Sequence, residues 1–206
     1  MTQKAFYFDP DRCTGCKTCA MACKDYHDLG PDYTYRRVYD YEGGGFTQGS
    51  NGAWSNDAYV YHVSSSCQHC DDPACTKVCP TTAMYKSPDT GLVSVDVDKC
   101  IGCGYCEMAC PYGAPHVDRQ AGHSVKCDGC ASRVAEGKQP ICTEACLMRC
   151  LEFGDKDEMS KKGERASVAP LPEASHTSPN LYVKKSSCVK PSGDTTGHVA
   201  NPLEVV

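Results

Sequence analysis

Residues 13–23 read Cys13-Thr-Gly-Cys16-Lys-Thr-Cys19-Ala-Met-Ala-Cys23, and residues 100–110 read Cys100-Ile-Gly-Cys103-Gly-Tyr-Cys106-Glu-Met-Ala-Cys110. Both are C-x2-C-x2-C-x3-C runs. The repeat extends outward: Asp9-Pro-Asp-Arg-Cys13 matches Asp96-Val-Asp-Lys-Cys100, and Met21-Ala22 matches Met108-Ala109. Two further groups are variants of the same run. Cys67, Cys70, Cys75 and Cys79 have four residues in the middle gap, and Cys127, Cys130, Cys142 and Cys146 have eleven.

Eighteen cysteines in 206 residues admit three chemistries: disulfides, zinc or iron–sulfur clusters. The start, MTQKAFYFDPDRC, has no apolar core of a secretion signal, so the chain is not expected to export itself, and the disulfide reading loses ground. Zinc takes one tetrahedral centre, usually from two separate C-x2-C knuckles. Such pairing would leave the third cysteine of each seven-residue run misplaced, so a zinc-stabilised interaction scaffold is the competing reading only. Three thiolates within seven residues, on a loop carrying Gly15 or Gly102, can each reach a different iron of one [4Fe–4S] cube. The fourth cysteine is expected to begin a helix and serve the neighbouring cube.

Pairing of the groups follows from the linkers. Between Cys79 and Cys100 a short strand (Ala83, Met84, Tyr85), a turn at Ser87–Gly91 and an alternating strand (Leu92 to Val97) predict a β-hairpin. That hairpin joins groups two and three into one two-cluster unit, leaving groups one and four to pair around it. The expected ligand sets are Cys13, Cys16, Cys19 and Cys146 (first); Cys23, Cys127, Cys130 and Cys142 (second); Cys67, Cys70, Cys75 and Cys110 (third); and Cys79, Cys100, Cys103 and Cys106 (fourth). The fold expected is α+β: two nested bacterial-ferredoxin-like units. The outer unit takes residues 1–36 with 116–154 and the inner unit 58–115, around a Gly/Tyr-rich insertion at 37–57. An irregular extension follows at 155–206. Cys188 has no partner spacing. Cys150 lies four residues beyond Cys146 and is the alternative to it as a ligand.

The remaining composition narrows the function. Hydrophobic residues make up 40%, cysteines included, so the ordinary core is thin and clusters are expected to staple it. Net charge is −5, without a basic block, which argues against nucleic acid. No apolar run approaches the ~18 residues that span a bilayer. Arg12, Lys17, Lys24, Lys77, Lys99 and Lys126 flank the ligands and would offset thiolate charge. The insertion is rich in tyrosine and holds Trp54, the one tryptophan of the sequence, as a docking surface would, while residues 58–63 read as a plain half-buried strand. From Asp155 onward five prolines punctuate a polar stretch expected to be unable to bury itself. The seven histidines share no ligand spacing, His69 lying nearest a cluster. No acid, base or nucleophile stands out, so the protein alone is not expected to catalyse.

The segments RCTGCKTC, ACKDYHDLG, HCDDPACTKVCP, CIGCGYCEMACPYGAP, KCDGCASRVAEGKQPIC, APLP and TGHVANPLEV resemble the iron–sulfur B subunits of dimethyl sulfoxide reductases, among the electron-transfer partners of molybdopterin oxidoreductases. The resemblance runs over nearly the whole sequence and implies a relay of four [4Fe–4S] clusters in a heterotrimer. The partners it implies are a molybdopterin catalytic subunit and a quinol-oxidising membrane anchor. The complex would be peripheral to the cytoplasmic membrane, on either face. Equivalent subunits of thiosulfate or polysulfide reductases and formate dehydrogenases are the alternatives. The family usually has Pro after the last ligand and an Ala-like residue three further on; here these are Leu147 and Cys150.

Overall fold

The computed structural model describes residues 2–205. Strand β1 (Lys4–Phe8) opens the fold and is buried along almost its whole length, because its two faces serve different cores. Phe6 and Phe8 point into the main apolar cluster, while Ala5 and Tyr7 meet Met159 and Tyr182 on the other side. The period of two that sends alternate side chains to opposite faces explains the split.

Helix α1 (Thr18–Tyr26) follows the first cysteine loop. A long antiparallel pair comes next, β2 (Arg37–Gly43) against the later β5, with an exposed hairpin, β3 (Phe46–Gln48) and β4 (Trp54–Asn56), carried between them. β5 (Tyr59–Ser65) is the half-buried strand expected there, and it pairs with β2 from Arg37↔Ser65 to Gly43↔Tyr59. That pairing crosses the expected boundary at residue 57. The first part of the insertion is therefore continuous with the sheet of the inner unit, and only its β3–β4 tip stands apart.

The inner segment holds α2 (Ala74–Lys77), β6 (Met84–Lys86), β7 (Val93–Val95) and α3 (Tyr105–Ala109). The predicted hairpin is present as β6 and β7, in the register Met84↔Val95 to Lys86↔Val93. A third small hairpin, β8 (His116–Asp118) with β9 (His123–Val125), leads to α4 (Ala131–Ala135) and α5 (Ile141–Glu144).

The C-terminal extension corrects an expectation. β10 (Leu151–Asp155) lies antiparallel to β1, α6 (Lys156–Met159) covers the outer face, and β11 (Glu164–Arg165) precedes β12 (Leu181–Val183). β12 runs parallel to β1, completing the order β10-β1-β12-β11. β13 (Gly197–Val199) adds to the free edge of β2. The stretch after Asp155 thus buries Ala166, Ala169, Leu171, Leu181 and Val183 in the main core. It lacks periodicity because each contribution is too short to alternate, and it is ordered by edges that the first 65 residues present.

Candidate metal-cluster sites

Each cysteine loop is built on left-handed backbone. Gly102 has φ +64°, and a Cβ there would lie 2.7 Å from the Gly122 carbonyl oxygen, a backbone atom that cannot swing aside. Glycine is the residue that tolerates both. Lys17 (φ 59°) and Gly104 (φ 79°) then turn the backbone into α1 and α3. The helices therefore start just before the third cysteine of each run, earlier than the spacing suggested. Cys23 sits inside α1, and Cys110 stands at the extended residue that ends α3.

Three small cavities open between these elements. One is lined by Cys79, Cys100, Cys103 and Cys106. Another is lined by Cys67, Cys70, Cys75 and Cys110. The third is lined by Cys13, Cys16, Cys19, Cys146 and also Cys150. The remaining expected set lies together as well: Cys127, Cys142 and Cys130 all raise the pKa of Cys23 by their proximity. Cys188 is exposed, beside Ser186 and Asp11, and lines none of the three cavities.

The four groups form a row. α1 carries Cys19 of the first set and Cys23 of the second. Cys67 and Cys127 share one small apolar cluster with Cys110 packed against it, which joins the second set to the third. α3 and the residue that ends it carry Cys106 of the fourth set and Cys110 of the third. At the two ends of the row, Cys16 and Cys103 are exposed.

The donor chemistry fits iron–sulfur cubes. Burial pushes the Cys70, Cys75 and Cys130 thiols up to about 12, so thiolates there need a strongly positive partner, which coordinated iron supplies. Hydrogen-bond donors already face the sulfurs. The Ser124 amide donates to Cys100 Sγ at 3.3 Å, the Gly129 amide to Cys127 Sγ and the Met84 amide to Cys79 Sγ at 3.4 Å, and the Thr177 hydroxyl to Cys70 Sγ at 3.2 Å. Donors of this kind tune a cluster's potential.

Two buried cations complete the electrostatics. Arg36, only 2% exposed, donates to the hydroxyls of Ser64 (3.1 Å) and Ser66 (2.9 Å) and lies over the Phe6 ring. Burial alone would lower its pKa, but Cys142, Cys19, Cys127 and Cys23 around it outweigh that and raise it, so it stays charged between the first and second sets. Lys126, 5% exposed, donates to the carbonyls of Val93 and Cys127 and faces Cys67 and Cys75. Of the other expected flanking cations, Lys17, Lys77 and Lys99 are tied up in ion pairs with Asp40, Asp72 and Asp96.

Sequence reasoning missed Arg36 and Thr177, which are distant in sequence from the cysteines they serve and carry no spacing signal. It also missed His27, whose Nε2 lies 3.6 Å from Cys130 Sγ, with Asp128 beside it. His69 is fully buried. Its Nδ1 accepts the Val93 amide at 2.9 Å, so Nε2 carries the proton and faces no partner among the described residues.

Comparison with known proteins agrees with this chemistry. Residues 58–156 match the family described as a 4Fe-4S dicluster domain, and residues 4–25 match a 4Fe-4S binding domain. The B subunit of the anaerobic dimethyl sulfoxide reductase of Escherichia coli (strain K12) is 57% identical over 205 residues, covering 99% of both sequences. This protein belongs to the dimethyl sulfoxide reductase B-subunit family. The B subunit from Haemophilus influenzae is 55% identical over 100% of both. A thiosulfate reductase electron transfer subunit of Salmonella typhi is 34% identical over 89% of this sequence and 93% of its own. As a member of the B-subunit family, the protein binds [4Fe–4S] clusters and is an electron-transfer subunit of a dimethyl sulfoxide reductase-type enzyme, not catalytic by itself. No helix among the described residues is long and apolar enough to cross a membrane.

Proposed function

We propose that sixteen of the cysteines hold four [4Fe–4S] clusters in the ligand sets given above, as two nested two-cluster units, and that the protein relays single electrons along them. When bound, each cluster supplies a one-electron couple. The surrounding residues set its conditions. Buried thiols exclude water, amide and hydroxyl donors hold the sulfurs, and Arg36 and Lys126 offset negative charge. The observation that carries the reading is the row of four cysteine groups with Cys16 and Cys103 exposed at its ends, where electrons can enter and leave.

In this reading the protein sits between a molybdopterin catalytic subunit and a quinol-oxidising membrane anchor, in a heterotrimer held peripherally at the cytoplasmic membrane. The terminal acceptor is an S-oxide of the dimethyl sulfoxide class. The substrate pocket lies on the catalytic partner, in keeping with a related subunit whose name specifies thiosulfate. The exposed Phe46 and Trp54 on the β3–β4 tip, together with the C-terminal segment, offer surfaces to these partners. The test is a reduced, anaerobically isolated complex monitored by low-temperature EPR. Menaquinol analogue should reduce the clusters and dimethyl sulfoxide should reoxidise them within turnover. Clusters that stay reduced while product forms would remove the protein from the electron path.

A further inference from the structure

In the first, third and fourth cysteine sets the backbone returns to the cavity four residues after the group's last cysteine. Ala83, four after Cys79, lines the cavity of the fourth set, and Ala114, four after Cys110, lines that of the third. In both places a methyl group meets the site. The equivalent position in the first set is Cys150, and the cavity there is lined by five cysteines.

Cys150 is positioned as a ligand would be. Its Sγ lies 3.4 Å from Cys146 Sγ, on the cavity that Cys13, Cys16 and Cys19 also line. It is 4% exposed, and its carbonyl accepts the Asp9 amide at 2.8 Å as the backbone enters β10. The turn between the two cysteines passes through Arg149 at φ 51°, which brings the second sulfur back to the first. A cysteine that merely filled core space would not need its sulfur on the same cavity as four others.

We propose that Cys150 is a second ligand for the iron corner assigned to Cys146, so that either thiolate completes the first site. This rests on the reading that the first set holds a cluster. In the exchange the iron–Sγ bond to Cys146 breaks and one to Cys150 forms. The proton of the Cys150 thiol passes to the departing Cys146 sulfur, and no electron is gained or lost. With the sulfurs 3.4 Å apart, side-chain rotation suffices.

The experiment uses the full-length protein, purified anaerobically as wild type, Cys146→Ala, Cys150→Ala and the double variant. Iron and acid-labile sulfide are counted, and the reduced samples are examined by EPR. Both single variants should retain the wild-type iron content, with the g-values of one cluster shifted in Cys146→Ala, and the double variant should lose one site's share. Loss of that share in either single variant would overturn the proposal by naming one obligate ligand. Full iron in the double variant would also overturn it, since neither cysteine would then be a ligand. Cys146→Val, alone and with Cys150→Ala, repeats the comparison while filling the core with a side chain that cannot bind iron. A wild-type protein lacking iron would instead sink the cluster reading beneath it.

Discussion

Arg36 is a full charge buried beside cysteines of two different sites, held by two serine hydroxyls and the Phe6 ring. Reduction adds negative charge to those sites, and a fixed cation in a low-dielectric interior favours it. Arg36→Gln should therefore lower the midpoints of the first and second sites together, about 60 mV for each tenfold loss in the reduction equilibrium. The third and fourth should stay where they are, and Arg36→Lys should recover most of the shift. EPR-monitored redox titration separates these outcomes, and unchanged potentials would assign Arg36 to packing alone. The same logic ranks the lysines. Lys126 is buried beside Cys67 and Cys75, whereas Lys77 is exposed and paired with Asp72, where water screens its charge. Lys126→Gln should lower the third site's midpoint and Lys77→Gln should leave it in place; equal shifts would contradict the ranking. The grouping of cysteines around common cavities was suggested by spacing because the geometry of each run is local to a few residues. Arg36 was not, since nothing in Tyr35-Arg36-Arg37 announces that Ser64 and Ser66 will fold across it.

Among the elements, β12 shows why a short strand can matter more than its length. Leu181, Tyr182 and Val183 are all buried, and β12 pairs parallel with β1 on one edge and antiparallel with β11 on the other. Its neighbours Thr177 and Asn180 reach the cysteine region directly, the first donating to Cys70 Sγ and the second to the His69 carbonyl at 2.8 Å. Leu181→Ala should cost about 2–5 kcal/mol of stability and speed aerobic loss of iron from the third site, followed by thermal unfolding and the visible absorbance. Stability within about 0.5 kcal/mol of wild type would show that β12 is an accessory strand. The β6–β7 hairpin was legible because a turn sequence sits between two apolar runs. β11, β12 and β13 were not, because strands of two or three residues carry no period and form only on edges made by distant sequence.

For the molecule as a whole, the cysteine groups, a four-stranded and a three-stranded sheet, three hairpins and the C-terminal segment surround a thin apolar core. The main cluster itself includes Cys142, Cys146 and Cys150 beside Phe6, Phe8, Leu151 and Leu181. With the proposed ligand sets, metal ligation and packing are the same structure, and cluster removal should loosen the core as well as end electron transfer. The hairpin between groups two and three was legible from its turn, and the nested pairing of the four groups belongs to the proposal built on it. The outer boundaries were not legible, since β2 and β5 pair across one of them. All of this depends on the cysteine groups holding iron and sulfide. The most direct measurement is elemental and acid-labile sulfide analysis of the anaerobically purified full-length protein, with its visible spectrum. The expected result is a brown protein with four irons and four sulfides for each of the four cysteine groups. A colourless protein carrying zinc in place of iron would contradict it.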